Sequence, residues 1–254
     1  MIVPDGPLHE LPFAALWDRA VGRFVIQDRA VLVAPSLAYA LLPVRSTGHW
    51  ATRPALLVGN PATYGNLASL PGAERETAAI ARLYPGAVRL TGHEATRERV
   101  LERLGASSVV HFAGHAFINQ RRPDLSRLVL VSGKGRPEGS LFARDISRQA
   151  MPDARLVVLA ACDTGRGVFV RGEGLLGLVR SFLAAGVPEV VATLWRVDDK
   201  VSSGLFEAFH AAWIRHHDAA RALRDAQLAT MGGTPGSVDL ADWAGVVAVG
   251  RIDR

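Results

Sequence analysis

The chain has 254 residues, 49% hydrophobic and 21% charged, and 29 Lys plus Arg against 24 Asp plus Glu give a formal net charge of +5. That length suits one α/β unit with a large core, and the single cysteine rules out an internal disulfide and fits a reducing, cytoplasmic setting. The arginines are scattered, no stretch reaches about 18 uninterrupted apolar residues, and no basic-then-apolar leader opens the chain, so neither direct nucleic-acid binding, nor a membrane partner, nor secretion is expected.

Ile2 and Val3 enter a strand-like step at once, which suggests the C-terminal part of a longer protein. FVIQ (Phe24–Gln27) and AVLVAP (Ala30–Pro35) are β-rich runs separated by Asp28-Arg29, a hairpin pattern. PALLVGNP (Pro54–Pro61), bounded by Pro and Gly-Asn-Pro, reads as a buried strand. AERETAAIARLY (Ala73–Tyr84) repeats its apolar residues at helical spacing and is stopped by Pro85-Gly86. Val88–Leu90 is a short strand, and Ala95–Leu104 is a helix with a charged outer side. Ser108–Ala116 is a strand running into a glycine turn, Arg127–Gly133 another strand, and Arg155–Gly165 a third whose Val/Leu run implies burial on both faces. Gly174–Ala185 is helical, Glu189–Trp195 is a strand, and Asp198 caps a helix to about His216. A helix at Ala219–Thr230 and a strand at Trp243–Gly250 complete the chain. Strands alternating with helices predict an α/β fold, a mainly parallel sheet with helices on both faces.

In such sheets the chemistry sits beyond the carboxyl ends of the strands. HFAGHA brings His115 to one strand end, just past Gly114, and LAACDTG brings Cys162 to another. If the two strands are neighbours, imidazole and thiol meet across one sheet edge, as a Cys–His dyad requires. Free backbone N–H groups at strand tips suit an oxyanion, with Gly114 and Cys162 as donors. Taken alone, a cysteine at a strand end is more often core than nucleophile; the matching His115 favours the nucleophile. His111 falls within its strand and reads as a hydrogen-bonded structural histidine, with a supporting role beside the dyad as the alternative. His9, His49, His93, His210, His216 and His217 show no metal-ligand spacing, so no zinc or other metal is expected.

Gly172-Glu173-Gly174-Leu175-Leu176-Gly177 is a literal GxGxxG, with Asp198 about 20 residues on. A dinucleotide fingerprint needs its first glycine directly after a strand. Here the stretch from Asp163 to Glu173 separates the strand tip at Cys162 from Gly174, so the glycines fit a helix start packed on the sheet, and no organic cofactor is expected.

His115 precedes Cys162 by 47 residues (162 − 115), near the caspase spacing of about 50, although the local caspase motif around the cysteine is absent. PDGPLHELPFAAL, LPGAERETAAIARLYP, VVHFAGHA, LVVLAACDTGRG, GEGLLGLVRSFLAAGV, VVATLWRVDDK, ALRDAQLA and WAGVVAVG together resemble the CHAT family, caspase-like cysteine peptidase domains related to separases and caspases. The resemblance spans nearly the whole chain. It implies a caspase-like sheet over residues 1–254, with an N-terminal accessory half (1–105) and a catalytic half (106–254). It also implies a cysteine endopeptidase with the His115–Cys162 dyad and no cofactor, acting on protein substrates under the control of an upstream regulatory domain or sensor partner. By the same likeness, Trp195 and Arg196 line a substrate pocket; Arg196 would favour an acidic residue before the cut, whereas Asp163, Asp198 or Asp199 would favour a basic one. The bland alternative for this rim is a helix cap and a packed tryptophan. The alternative for the whole is a catalytically silent interaction module on the same fold.

Overall fold

The computed structural model describes residues 1–43, 50–62, 67–119, 121–131, 139–163, 174–195, 199–232 and 239–251. Near the N-terminus, β1 (Trp17–Asp18) and β2 (Arg23–Phe24) pair antiparallel, and α1 (Val25–Asp28) and α2 (Leu37–Ala40) are single turns. There follow β3 (Ala55–Pro61), α3 (Pro71–Ala81), β4 (Val88–Gly92), α4 (Arg97–Leu104) and the long β5 (Val109–Phe117). A side hairpin comes next, β6 (Arg127–Leu130) with β7 (Gly139–Phe142), then α5 (Ala143–Ile146) and β8 (Leu156–Asp163). The chain continues through α6 (Gly174–Ala184), β9 (Glu189–Thr193), α7 (Asp199–His216), α8 (Ala219–Met231), α9 (Leu240–Trp243) and β10 (Val246–Gly250).

Among the described residues one eight-stranded sheet runs β10-β9-β8-β5-β3-β4, with β6 and β7 extending from β5. The β3, β4, β5, β8 and β9 pairings along this path are parallel; β10 against β9, β6 against β5 and β7 against β6 are antiparallel. The predicted mainly parallel sheet is therefore what forms, carrying antiparallel additions.

Successive strand side chains point to opposite faces, so a strand buried on both must be apolar throughout. One face packs on α4, α5 and α6 and takes Leu56, Val110, Val157 and Val190. The other packs on α3, α7, α8 and α9 and takes Leu57, Val109, Val158 and Val191. Each such side chain contributes about 1.5–3 kcal/mol by leaving water. The β10 edge is closed by the chain's own N-terminal segment: Val33 N–H donates to Ala248 O (2.9 Å), Gly250 N–H to Val33 O (2.8 Å), and Ile2 pairs outside Val33.

Three expectations need correction. The expected strand Phe24–Gln27 ends at Phe24, the last residue of β2, because Phe24 N–H donates to Gln27 Oε1 (2.9 Å) and the side chain curls the segment into the α1 turn. Trp243 belongs to α9 rather than the last strand, since Asp239 caps that short helix through Ala241 N–H (3.1 Å). Gly114 does not begin a turn, for the β5–β8 ladder runs straight through it.

Candidate active site

The ladder between β5 and β8 sets the site. His115 pairs with Cys162 as direct Cα partners, one step before Ala116 pairs with Asp163. His115, four residues after His111, lies on the face of β5 covered by α3 and α7, and Cys162 is its backbone partner on β8. Both sit inside the ladder rather than beyond it. Gly114 is there for space: a Cβ would stand 2.9 Å from Phe112 Cζ and 3.1 Å from Pro61 Cδ.

The His115 ring is buried and its nitrogens are unequal. Nε2 lies 2.7 Å from the Ala68 carbonyl oxygen. A carbonyl only accepts, so Nε2 carries the hydrogen and the neutral ring has its lone pair on Nδ1. Nδ1 is buried and has no hydrogen-bond partner among the described residues. A buried acceptor left without a donor costs about 1–3 kcal/mol and calls for an explanation. The neighbouring strand position is that of Cys162.

His111 lies on the same strand and face and is fully committed. Its Nε2 is 2.8 Å from Glu76 Oε1 on α3, and its Nδ1 is 3.1 Å from His210 Nε2 on α7. His210 Nδ1 is 2.8 Å from the Tyr84 hydroxyl, and Ser202 Oγ donates to the other Glu76 oxygen (3.2 Å). With Glu76 accepting, one direction satisfies every link: Tyr84 donates to His210, His210 to His111, and His111 to Glu76. Burial, reinforced by the adjacent His111 ring, holds His210 well below the ordinary histidine range, and burial raises the Tyr84 hydroxyl. The structural histidine expected at 111 is what the contacts describe. Sequence reasoning had no sign of its partners, which come from two helices far away along the chain.

At the rim, Leu194 N–H donates to Gly245 O (2.7 Å), and the half-buried Trp195 donates from Nε1 to Ala241 O (2.9 Å), pinning the tryptophan to the α9 turn. Asp163 is the last residue of β8 and Asp199 the first of α7. Arg196 and the Asp198 cap, like Gly172 and Glu173 of the GxGxxG stretch, lie outside the described residues; Gly174 opens α6. Among the described residues no cluster of His, Cys, Asp and Glu could hold a metal ion, and no helix is long and apolar enough to cross a membrane.

This arrangement can be set against known proteins. Two curated relatives, each named Tetratricopeptide repeat protein 28, from Homo sapiens and Mus musculus, are 27% identical over 302 and 300 residues. In each case 98% of this chain aligns, and it spans 12% of the relative's length. Among solved structures, a chain of the Saccharomyces cerevisiae separase–securin complex superposes with a TM-score of 0.56 and 16% identity, covering 96% of this chain and 14% of that one. That likeness concerns the fold, a caspase-like sheet. The family model described as the CHAT domain matches residues 1–251. A caspase-like, peptidase-like module matched over nearly its whole length, the chain belongs to the CHAT domain family.

Proposed function

We propose that the protein is a cysteine endopeptidase of the caspase and separase type, with Cys162 as nucleophile and His115 as its acid–base partner. The observation that carries this is the His115 ring: its Nε2–H is held by Ala68, its Nδ1 has no partner among the described residues, and Cys162 is its backbone partner on the next strand. In the proposed sequence the Cys162 thiol passes its proton to His115 Nδ1, and the thiolate attacks the scissile carbonyl carbon. The Gly114 and Cys162 N–H groups are the donors assigned to the oxyanion, and because both residues lie within the β5–β8 ladder that role would require the strand ends to part as substrate enters. The tetrahedral species collapses as the C–N bond breaks, and imidazolium hands its proton to the leaving amine. Water then attacks the thioester, giving its proton to Nδ1. Release of the carboxylic acid restores the thiol. The Ala68 carbonyl keeps Nε2 protonated throughout, so only Nδ1 exchanges protons.

Trp195, with Arg196, Asp163 and Asp199, would line the pocket for the residue before the cut, Arg196 favouring an acidic side chain there. A thiol nucleophile suits the reducing cytoplasm. The likeness to tetratricopeptide repeat proteins supports control by a repeat-bearing regulatory region or partner. The test is cleavage of a proteome-derived peptide library by wild type and Cys162→Ala, with and without a candidate repeat partner. Peptides cut only by wild type support the reading. Library profiles that match, together with an iodoacetamide rate at Cys162 no faster than that of an ordinary buried thiol, would leave a silent interaction module.

A further inference from the structure

We infer that Asn60 is a positioning residue for His115, clamping the loop whose carbonyl fixes the ring's tautomer; the inference rests on His115 being the acid–base group. Asn60 has φ +47°, in the left-handed region that asparagine tolerates better than most side chains. It occupies the irregularity where the β3–β4 register shifts between Gly59 and Pro61. That backbone turns the carboxamide toward the loop entering α3. Asn60 Oδ1 accepts from Leu70 N–H at 2.7 Å, and Nδ2 donates to Ser69 Oγ at 3.2 Å. Ala68, adjacent to Ser69, presents the carbonyl that accepts from His115 Nε2–H at 2.7 Å.

The flanking residues brace the same point. A Cβ on Gly59 would run into Thr77 and the Ala73 carbonyl, so α3 lies directly on this strand end. Pro61 packs where a Gly114 side chain would be, beside His115 along β5. Gly-Asn-Pro thus touches the helix, the loop and the catalytic strand in three consecutive residues. The amide is suited to the middle position because it accepts from one loop group and donates to the next, on a backbone that most residues would strain.

Asn60→Gly separates the clamp from the backbone, since glycine keeps the positive φ and lacks the amide. Asn60→Asp keeps the acceptor for Leu70 N–H. The His115 tautomer is read by ¹⁵N NMR of the folded protein, beside kcat and KM on a cleaved peptide. We expect wild type and Asn60→Asp to show the Nε2–H form. In Asn60→Gly we expect the Nδ1–H form as well, with kcat down about tenfold and KM within twofold. Ser69→Ala, which removes only the weaker contact, should fall between and serves if Asn60→Gly does not fold. An unchanged tautomer and unchanged kcat in a folded Asn60→Gly or Ser69→Ala would overturn the inference. If wild type cuts nothing yet Asn60→Gly still mixes tautomers, the clamp stands and the peptidase reading alone falls.

Discussion

His111 and His115 lie on one strand, on one face, four residues apart, and their hydrogen-bonding surroundings differ. His111 has both nitrogens engaged, by a carboxylate on one helix and an imidazole on another. His115 has one nitrogen tied to a backbone carbonyl and the other without a partner among the described residues. Both rings are buried, so burial alone would not tell them apart. The useful question is which nitrogen can still change its proton. At 111 moving one proton means rearranging a chain of four side chains; at 115 the nitrogen that would change its proton is Nδ1, for which no partner is found among the described residues.

The largest effect should come from the His115–Cys162 pair. If the proposed peptidase reading holds, Cys162→Ala should abolish cleavage. His115→Ala should lower kcat by about 10³-fold or more, within the range associated with general acid–base and nucleophilic partners. It also empties the space of a buried ring and strands the Ala68 carbonyl, a loss of about 2–4 kcal/mol, so kcat is read per folded molecule. The reverse pattern, large loss of stability with retained cleavage, would break the comparison.

His111→Phe should behave in the opposite way. It strands a buried Glu76 carboxyl and interrupts the links to His210, which points to a loss of about 3 kcal/mol in urea unfolding. Activity per folded molecule should stay within a few-fold of wild type.

The network also predicts a pH response. His210 is held below its ordinary value of 6.5, so the native state binds fewer protons than the unfolded chain. Protons therefore favour unfolding: stability is full above about pH 6.5 and declines as pH falls from there toward the lower folded value. The slope from this one group reaches up to about 1.4 kcal/mol per pH unit. Denaturant titrations at pH 7.5 and 5.5 measure it. A flat profile would mean that His210 is protonated in the folded protein and that the hydrogen-bond direction assigned here is wrong. The smallest effect belongs to Ser202→Ala, which deletes one donor to Glu76 and should cost about 1 kcal/mol with unaltered kcat.

The sheet was largely legible because its strands are apolar on both faces and are separated by glycine- and proline-rich breaks. His115 and Cys162 were legible as a histidine and a cysteine at corresponding places on two such strands, and the register makes them direct backbone partners. What could not be read has local causes. Gly114 looked like a turn because glycine is ambiguous in a strand: it marks either a bend or a close neighbour, and here Phe112 and Pro61 are the neighbours. FVIQ has β-branched and aromatic residues, but a single glutamine side chain reaching back to Phe24 outweighs that propensity. The strand at Gly139–Phe142 and the turn after it are too short to show a period. Glu76 was hidden because a lone acid in an amphipathic helix reads as a wet residue, and only the tertiary approach of β5 and α7 makes it a buried acceptor. Asn60 stood in view inside Gly-Asn-Pro, where it served to mark the end of a strand; its positive φ carries the further meaning.

The bridge between Val33 and Val249 has a consequence for how the chain folds. A ribosome emits residue 33 long before residue 249, so the N-terminal segment must wait unpaired while nearly the whole sheet is made. Contacts of such sequence separation slow folding, because the loop they close is ordered before it is rewarded. Strand β10 is therefore the one that gives the segment around Val33 its place, and until it is made Leu32, Val33 and Ala34 present bare apolar side chains to whatever binds nascent chains.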